Sequence, residues 1–149
     1  MSFLKKGKQT EKKFAEMFED YKFSTKQEDI KEHWDIEIKS KVDVKGMKKI
    51  RRSDEFPNQN YHWIEIKNVN GEHGWSYGKA DFFAFEIEKY WIVVSKEDLQ
   101  ELIKDMVVKE MVESPSLYKL YQRKGRKDIM TLVTSYDLCA VATTILKKK

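Results

Sequence analysis

The sequence predicts a mixed α/β domain built on a central sheet. Three features predict it. The chain has 149 residues, the size of one ordinary domain. Apolar residues near its start recur at helical spacing. Beyond them lie short segments of alternating or continuous apolar character, separated by turn residues.

Residues from about Gly7 to Tyr21 read as a helix, with Phe14, Ala15, Met17, Phe18 and Tyr21 as its apolar stripe. Glu11 lies three, four and seven positions before Phe14, Ala15 and Phe18, so it shares their inward face. A carboxylate there is costly unless something holds it. A first-turn position is one reason to tolerate it. "HWDIEI" (33–38) and "KVDVK" (41–45) then read as strands around a turn at Lys39 and Ser40. Residues 46–60 read as a mobile basic loop. "YHWIEIK" (61–67) reads as the third strand, with Tyr61, Trp63, Glu65 and Lys67 on one face.

The glycine-rich "NVNGEHGWSYGKAD" predicts turns and a short helical crossover near 76–81. "FFAFEIEKYWIVVS" predicts strands at 82–87 and 90–94 around Glu88 and Lys89. Ser95, with Asp98 three residues on, is placed to cap a helix carrying Leu99, Leu102, Ile103 and Met106 on one stripe. After Pro115 a hairpin is expected, 117–123 and 128–135 around Lys124 and Gly125. A last helix, capped by Ser135, is expected over 136–146, with Cys139 on its apolar side.

Net charge is only +4, but the basic residues cluster. Lys39, Lys41, Lys45, Lys48, Lys49, Arg51 and Arg52 meet one acid, Asp43, between positions 39 and 52. A second cluster holds Arg123, Lys124 and Arg126. Such faces suit phosphates, although lysines also serve simple solubility. No apolar run approaches the roughly 20 residues that span a bilayer, and the N-terminal residues lack the apolar centre of a signal peptide. One cysteine cannot form an internal disulfide, so a cytoplasmic setting is expected, the host's if the chain is viral. The compact lysine-rich form would suit a mobile element or a phage. Zinc spacing, Walker and dinucleotide loops and a GxSxG elbow do not occur.

Two carboxylates and a lysine carry the chemistry. If Asp43 and Glu65 lie on adjacent strands, they can hold one hard divalent cation, and the carbonyl of Ile66 offers another oxygen. Lys67, two residues after Glu65, would point the same way and steady a water or a developing negative charge. An exposed ion pair on a solvated strand would read similarly. This pattern resembles the PD-(D/E)XK nuclease superfamily: an acid on the second strand, then Asp or Glu, any residue and Lys on the third. The resemblance covers roughly residues 7–95 and leaves 96–149 as a decoration, with position 42 a valine where the pattern often has proline. It implies a restriction-endonuclease-like mixed sheet flanked by helices, in one domain. It also implies Mg²⁺- or Mn²⁺-dependent hydrolysis of DNA, resolvase-like or otherwise structure-selective. In that scheme Asp43, Glu65, Ile66 and Glu11 are metal ligands and Lys67 assists the water. Many nucleases of this type pair up, which makes a homodimer an expectation.

A second pairing also fits, with Asp35 as the leading acid and Asp43 with Lys45 as the acid–lysine pair. The first is preferred because a crossover and a strand follow Lys67. For DNA contacts the sequence offers Lys45, Lys48, Lys49, Arg51, Arg52, Lys79, Arg123, Lys124 and Arg126, and Trp75 and Tyr77 as stacking or core rings. Two other classes remain open: a nucleic-acid-binding module on the same fold that does not cut, and an adaptor using the acidic helix near 96–113.

Overall fold

The computed structural model describes residues 3–17, 21–38 and 40–149, with side chains from residue 6 onward. Phe18 of the expected stripe and Lys39 of the expected turn lie outside the described residues. The elements run α1 (Phe3–Ala15), β1 (Lys22–Phe23), α2 (Lys26–Glu32), β2 (Ile36–Glu37), β3 (Lys41–Lys45), β4 (Tyr61–Lys67) and a 3₁₀ turn (Trp75–Tyr77). Then follow β5 (Phe82–Glu86), β6 (Tyr90–Ser95), α3 (Lys96–Met106), β7 (Val108–Val112), β8 (Lys119–Tyr121), β9 (Ile129–Thr134), α4 (Ser135–Val141) and β10 (Thr144–Lys147).

The chain is α/β with two sheets. One has the order β1-β2-β3-β5-β6-β10 and the other β4-β9-β8-β7. In the first, β1, β2 and β3 are antiparallel neighbours, and β5 returns parallel to β3 with Asp43 opposite Phe83. β6 is antiparallel to β5. Both faces of this sheet are covered, which explains why "FFAFE" and "YWIVVS" are almost continuously apolar. Phe83, Phe85, Ile92 and Val94 point into a core shared with Ile64, Val133, Leu99 and Leu138. Ala84, Trp91 and Val93 point the other way, to Phe14, Ala15, Ile36 and Val42. Phe14 meets Trp91 edge to face, ring centroids 5.1 Å apart. Fully burying a side chain of this size contributes roughly 1.5–3 kcal/mol, so α1 is held chiefly by this face.

The structure corrects several expectations. β3 and β4 are not neighbours. Consecutive strands usually pair, but here β5 takes the β3 edge and the 46–60 segment carries the chain into the other sheet. That segment is laced by hydrogen bonds, as described below. The strand expected at 33–38 is shorter, because His33, Trp34 and Asp35 lie before β2 and Ile38 after it. α2 went unread, yet Thr25 and Glu28 form a complete capping box. The last helix stops at Val141, and Thr144–Lys147 is a strand on β6. Its cap is Thr134, whose hydroxyl accepts from the Asp137 amide. Cys139 is exposed rather than packed. Residues 96–149 are no appendage, since β9 and β10 complete the two sheets and Val133 and Leu138 enter the core. The first helix is Phe3–Ala15 rather than 7–21, and α3 stops at Met106, with the strand β7 where the acidic helix near 96–113 was expected to continue. β3 and β4 match residue for residue, and Ser95 accepts from the Asp98 amide at the start of α3.

Candidate metal centre

A cleft of about 400 Å³ opens beside the end of β3. Five carboxylates line it: Glu11, Asp29, Asp35, Asp43 and Glu65. Each comes from a different part of the fold. Glu11 stands one turn before Phe14 on α1, and packing that ring on the sheet turns the carboxylate inward. Asp29 comes from α2, Asp35 from the residue before β2, and Asp43 from the middle of β3. Glu65 arrives from the second sheet. His33, the left-handed C-cap of α2 (φ 59°), completes the wall beside Asp35.

Asp35 is the centre of this group. Its Oδ2 accepts from the buried Val44 amide at 2.7 Å, which ties the loop before β2 to β3. Asp35 acts on the carboxyls of Glu11, Asp29 and Asp43, raising each of them. Glu11, Asp29 and Asp35 each offer an oxygen within 4.8 Å of the other two. Carboxyls crowded this closely favour keeping a proton or taking up a cation. Burial, and then the neighbouring Asp35, push the Glu11 carboxyl up to about 8. Burial pushes Asp43 well above the usual carboxylate range despite the opposing pull of Lys45. Asp29 is raised for the same reasons, burial first and then Asp35.

The lysine of the site is Lys45. Its ammonium lies 3.0 Å from Asp43 Oδ1 and 4.1 Å from the Trp75 ring centroid. One residue separates Asp43 from Lys45, so the pleat keeps them together. The spacing is sound for Glu65 and Lys67 too, but a bulge at Ile66 breaks the alternation, with Glu65 opposite Met130 and Lys67 opposite Ile129. Glu65 lines the cleft, whereas Lys67 is exposed and does not. The Ile66 carbonyl, expected as a metal ligand, accepts instead from the Gly74 amide at 2.9 Å. Glu65 itself is clamped, with Oε1 accepting from the Trp75 amide and its carbonyl from Ser76 Oγ. Gly74 permits this, since a Cβ there would meet the Glu65 carbonyl oxygen at 2.5 Å.

Asp43, Glu65 and Glu11 therefore share one cleft, but the first two come from different sheets, and the acid–lysine pair is Asp43 with Lys45. Sequence reading passed over Asp29, although the cap at Thr25 and Glu28 was a usable signal for its helix. The remaining basic candidates divide. Lys48, Lys49, Arg51 and Arg52 sit on the segment that follows β3. Lys79 is exposed behind α2, its amide donating to the Glu32 carbonyl. Arg123 and Arg126 both face Asp128, at 2.9 and 3.8 Å, while Lys124 is exposed at the tip of the β8–β9 turn. No helix among the described residues is long and apolar enough to cross a membrane.

The donor set is all oxygen and strongly anionic, which fits a hard divalent cation better than a soft one. Comparison with protein-family models, with curated proteins and with solved structures found no match.

Proposed function

We infer that the cleft is the active site of a Mg²⁺-dependent phosphodiesterase acting on DNA, of the kind the PD-(D/E)XK pattern describes, with Asp35, Asp43 and Lys45 as its motif. The observation that carries this reading is the convergence of Glu11, Asp29 and Asp35 within 4.8 Å, one residue-pair away from an Asp43–Lys45 contact of 3.0 Å. The element order supports it as well. After α1, the first sheet sets β1, β2 and β3 antiparallel, with α2 between β1 and β2, and β5 returns parallel to β3 after β4 has left for the other sheet, so that β3 takes the place first given to β4.

Glu11, Asp29 and Asp35 would hold the ion, and a bound Mg²⁺ supplies a Lewis acid at the scissile phosphate. The protein's own groups do the rest. The Val44 amide fixes Asp35, so the ligand set is preorganised. Asp43 holds the Lys45 ammonium at the cleft wall, where its remaining hydrogens can orient a water or meet negative charge developing on phosphorus. Trp75 covers the other side of that ammonium and limits its exchange with bulk water.

The test is plasmid nicking with Mg²⁺ or Mn²⁺. Wild-type protein should cut, Asp35→Asn should stop cutting and Lys45→Ala should slow it about 10²- to 10³-fold, both keeping a cooperative melt. Lys67→Ala should cut like wild type. Unimpaired cutting by Asp35→Asn, or no cutting by wild type, would defeat the assignment.

A further inference from the structure

The segment between β3 and β4, residues 46–60, carries four exposed or part-exposed cations and one exposed ring that the cleft chemistry leaves unused. Lys48, Lys49, Arg51 and Arg52 form no ion pair among the described residues. The ring is Phe56, 71% exposed and followed by Pro57. A ring this exposed leaves most of its face open to a flat partner.

The segment is braced from within. The Asp54 carboxylate accepts from the Ile50 and Arg51 amides at 3.0 and 2.9 Å. Asn58 donates its amide to the Lys48 carbonyl at 2.9 Å, closing the two arms on each other. The Asn58 side chain accepts from the Asn60 and Tyr61 amides, and Trp63 Nε1 reaches the Lys49 carbonyl at 3.3 Å. Asp54 is thereby spent on backbone, which leaves Glu55 as the segment's free acid and the cations in excess. The root of the segment borders the cleft, since Lys45, which lines it, directly precedes Gly46.

A fixed frame holding several unpaired cations and one bare ring has the chemistry of a strand-gripping arm. Cations meet phosphates, and the ring offers a stacking face to a base that has left its own stack. A fully paired duplex presents phosphates to the same cations but no free base face to Phe56. The geometry points to a substrate class: we propose that the 46–60 segment grips single-stranded DNA beside the cleft, with Phe56 stacking on an unpaired base. This rests on the nuclease reading for its context and deepens it from DNA in general to unpaired DNA.

The experiment is fluorescence anisotropy in EDTA, so that binding is read without cleavage. The probes are a labelled 20-nucleotide single strand and the duplex of the same sequence, with wild type, Phe56→Ala and Phe56→Trp. Loss of one base–aromatic stack should weaken single-strand binding about 5- to 150-fold in Phe56→Ala. Duplex binding should stay within about twofold, because its phosphate contacts are untouched. Phe56→Trp should restore single-strand binding. A 2-aminopurine placed in the strand should be quenched by wild type and less so by Phe56→Ala. Equal loss on both probes, no loss on either, or no single-strand binding by wild type overturns the proposal, and no loss on either hands Phe56 to a protein partner. The two readings fail separately. If Phe56 governs binding but Mg²⁺ never elicits cutting, the nuclease reading falls and this one stands.

Discussion

A lone buried carboxylate and a cluster of four carboxylates flank the β3–β5 pair, and they are resolved in opposite ways. At the end of β5, Glu86 is 5% exposed and meets Lys148 at 2.7 Å, Lys13 at 2.9 Å and the Met47 amide. Burial alone would raise its carboxyl, but these donors outweigh burial and hold it below the ordinary range. On the other side Glu11, Asp29, Asp35 and Asp43 are drawn together with one close lysine, Lys45, and Lys8 at the margin, 3.3 Å from Glu11. There the carboxyls of Glu11, Asp29 and Asp43 are raised. A carboxylate kept for stability is surrounded by its own donors. Several kept together without enough donors are short of positive charge, and a divalent cation is the simplest way to supply it.

That contrast can be broken experimentally. The largest effect should fall on cutting: Asp35→Asn removes it to background, and Lys45→Ala lowers it about 10²- to 10³-fold, read by plasmid nicking. In the same Asp35→Asn protein the metal-free form should melt higher than wild type at pH 8, since one of the crowded charges is gone. Glu86→Ala should do the reverse, leaving the cleft chemistry intact but costing about 3 kcal/mol in urea unfolding, because a buried ionic node loses its acid.

The pH dependence separates the two groups further. Glu11 binds its proton more tightly folded, near 8 against 4.5. Its contribution is therefore complete below about pH 4.5 and is lost as pH rises through about 8. Metal-free stability should decline over that window, and Mg²⁺ should flatten the decline with proton release on binding, measurable by calorimetry in two buffers. His62 works with the other sign. Burial against Phe85 lowers it from 6.5 to about 4, so its neutral form stabilises fully above 6.5 and that advantage is lost as pH falls to about 4. This loss amounts to about 3 kcal/mol, and His62→Gln should remove the slope. The smallest effect belongs to Lys67→Ala, expected within about 0.5 kcal/mol of wild type in stability.

Local pattern made much of this fold readable. Alternation located β3 and β4, and side-chain capping located the start of α3. What local pattern does not carry is which strands pair. Adjacent strands for Asp43 and Glu65 are a condition of the expected site that sequence cannot test, because the parallel return of β5 onto β3 is a long-range choice. The acid–lysine pair was equally a question of pairing: "DVK" and "EIK" look alike in one dimension, and the bulge at Ile66 that separates Glu65 from Lys67 has no residue signature of its own. β10 looked helical because α4 precedes it without a glycine, although Thr143, Thr144 and Ile145 are β-branched.

Glu65 reaches the cleft from one sheet and Asp43 from the other, with Trp75 lodged between Lys45 and the rings of Phe83 and Phe85. The gap between those two acids is consequently set by how the layers rest on each other. A change as remote as Phe85→Leu would retune the spacing of the charged wall without touching any group in it, so the hydrophobic interior acts as the site's calliper.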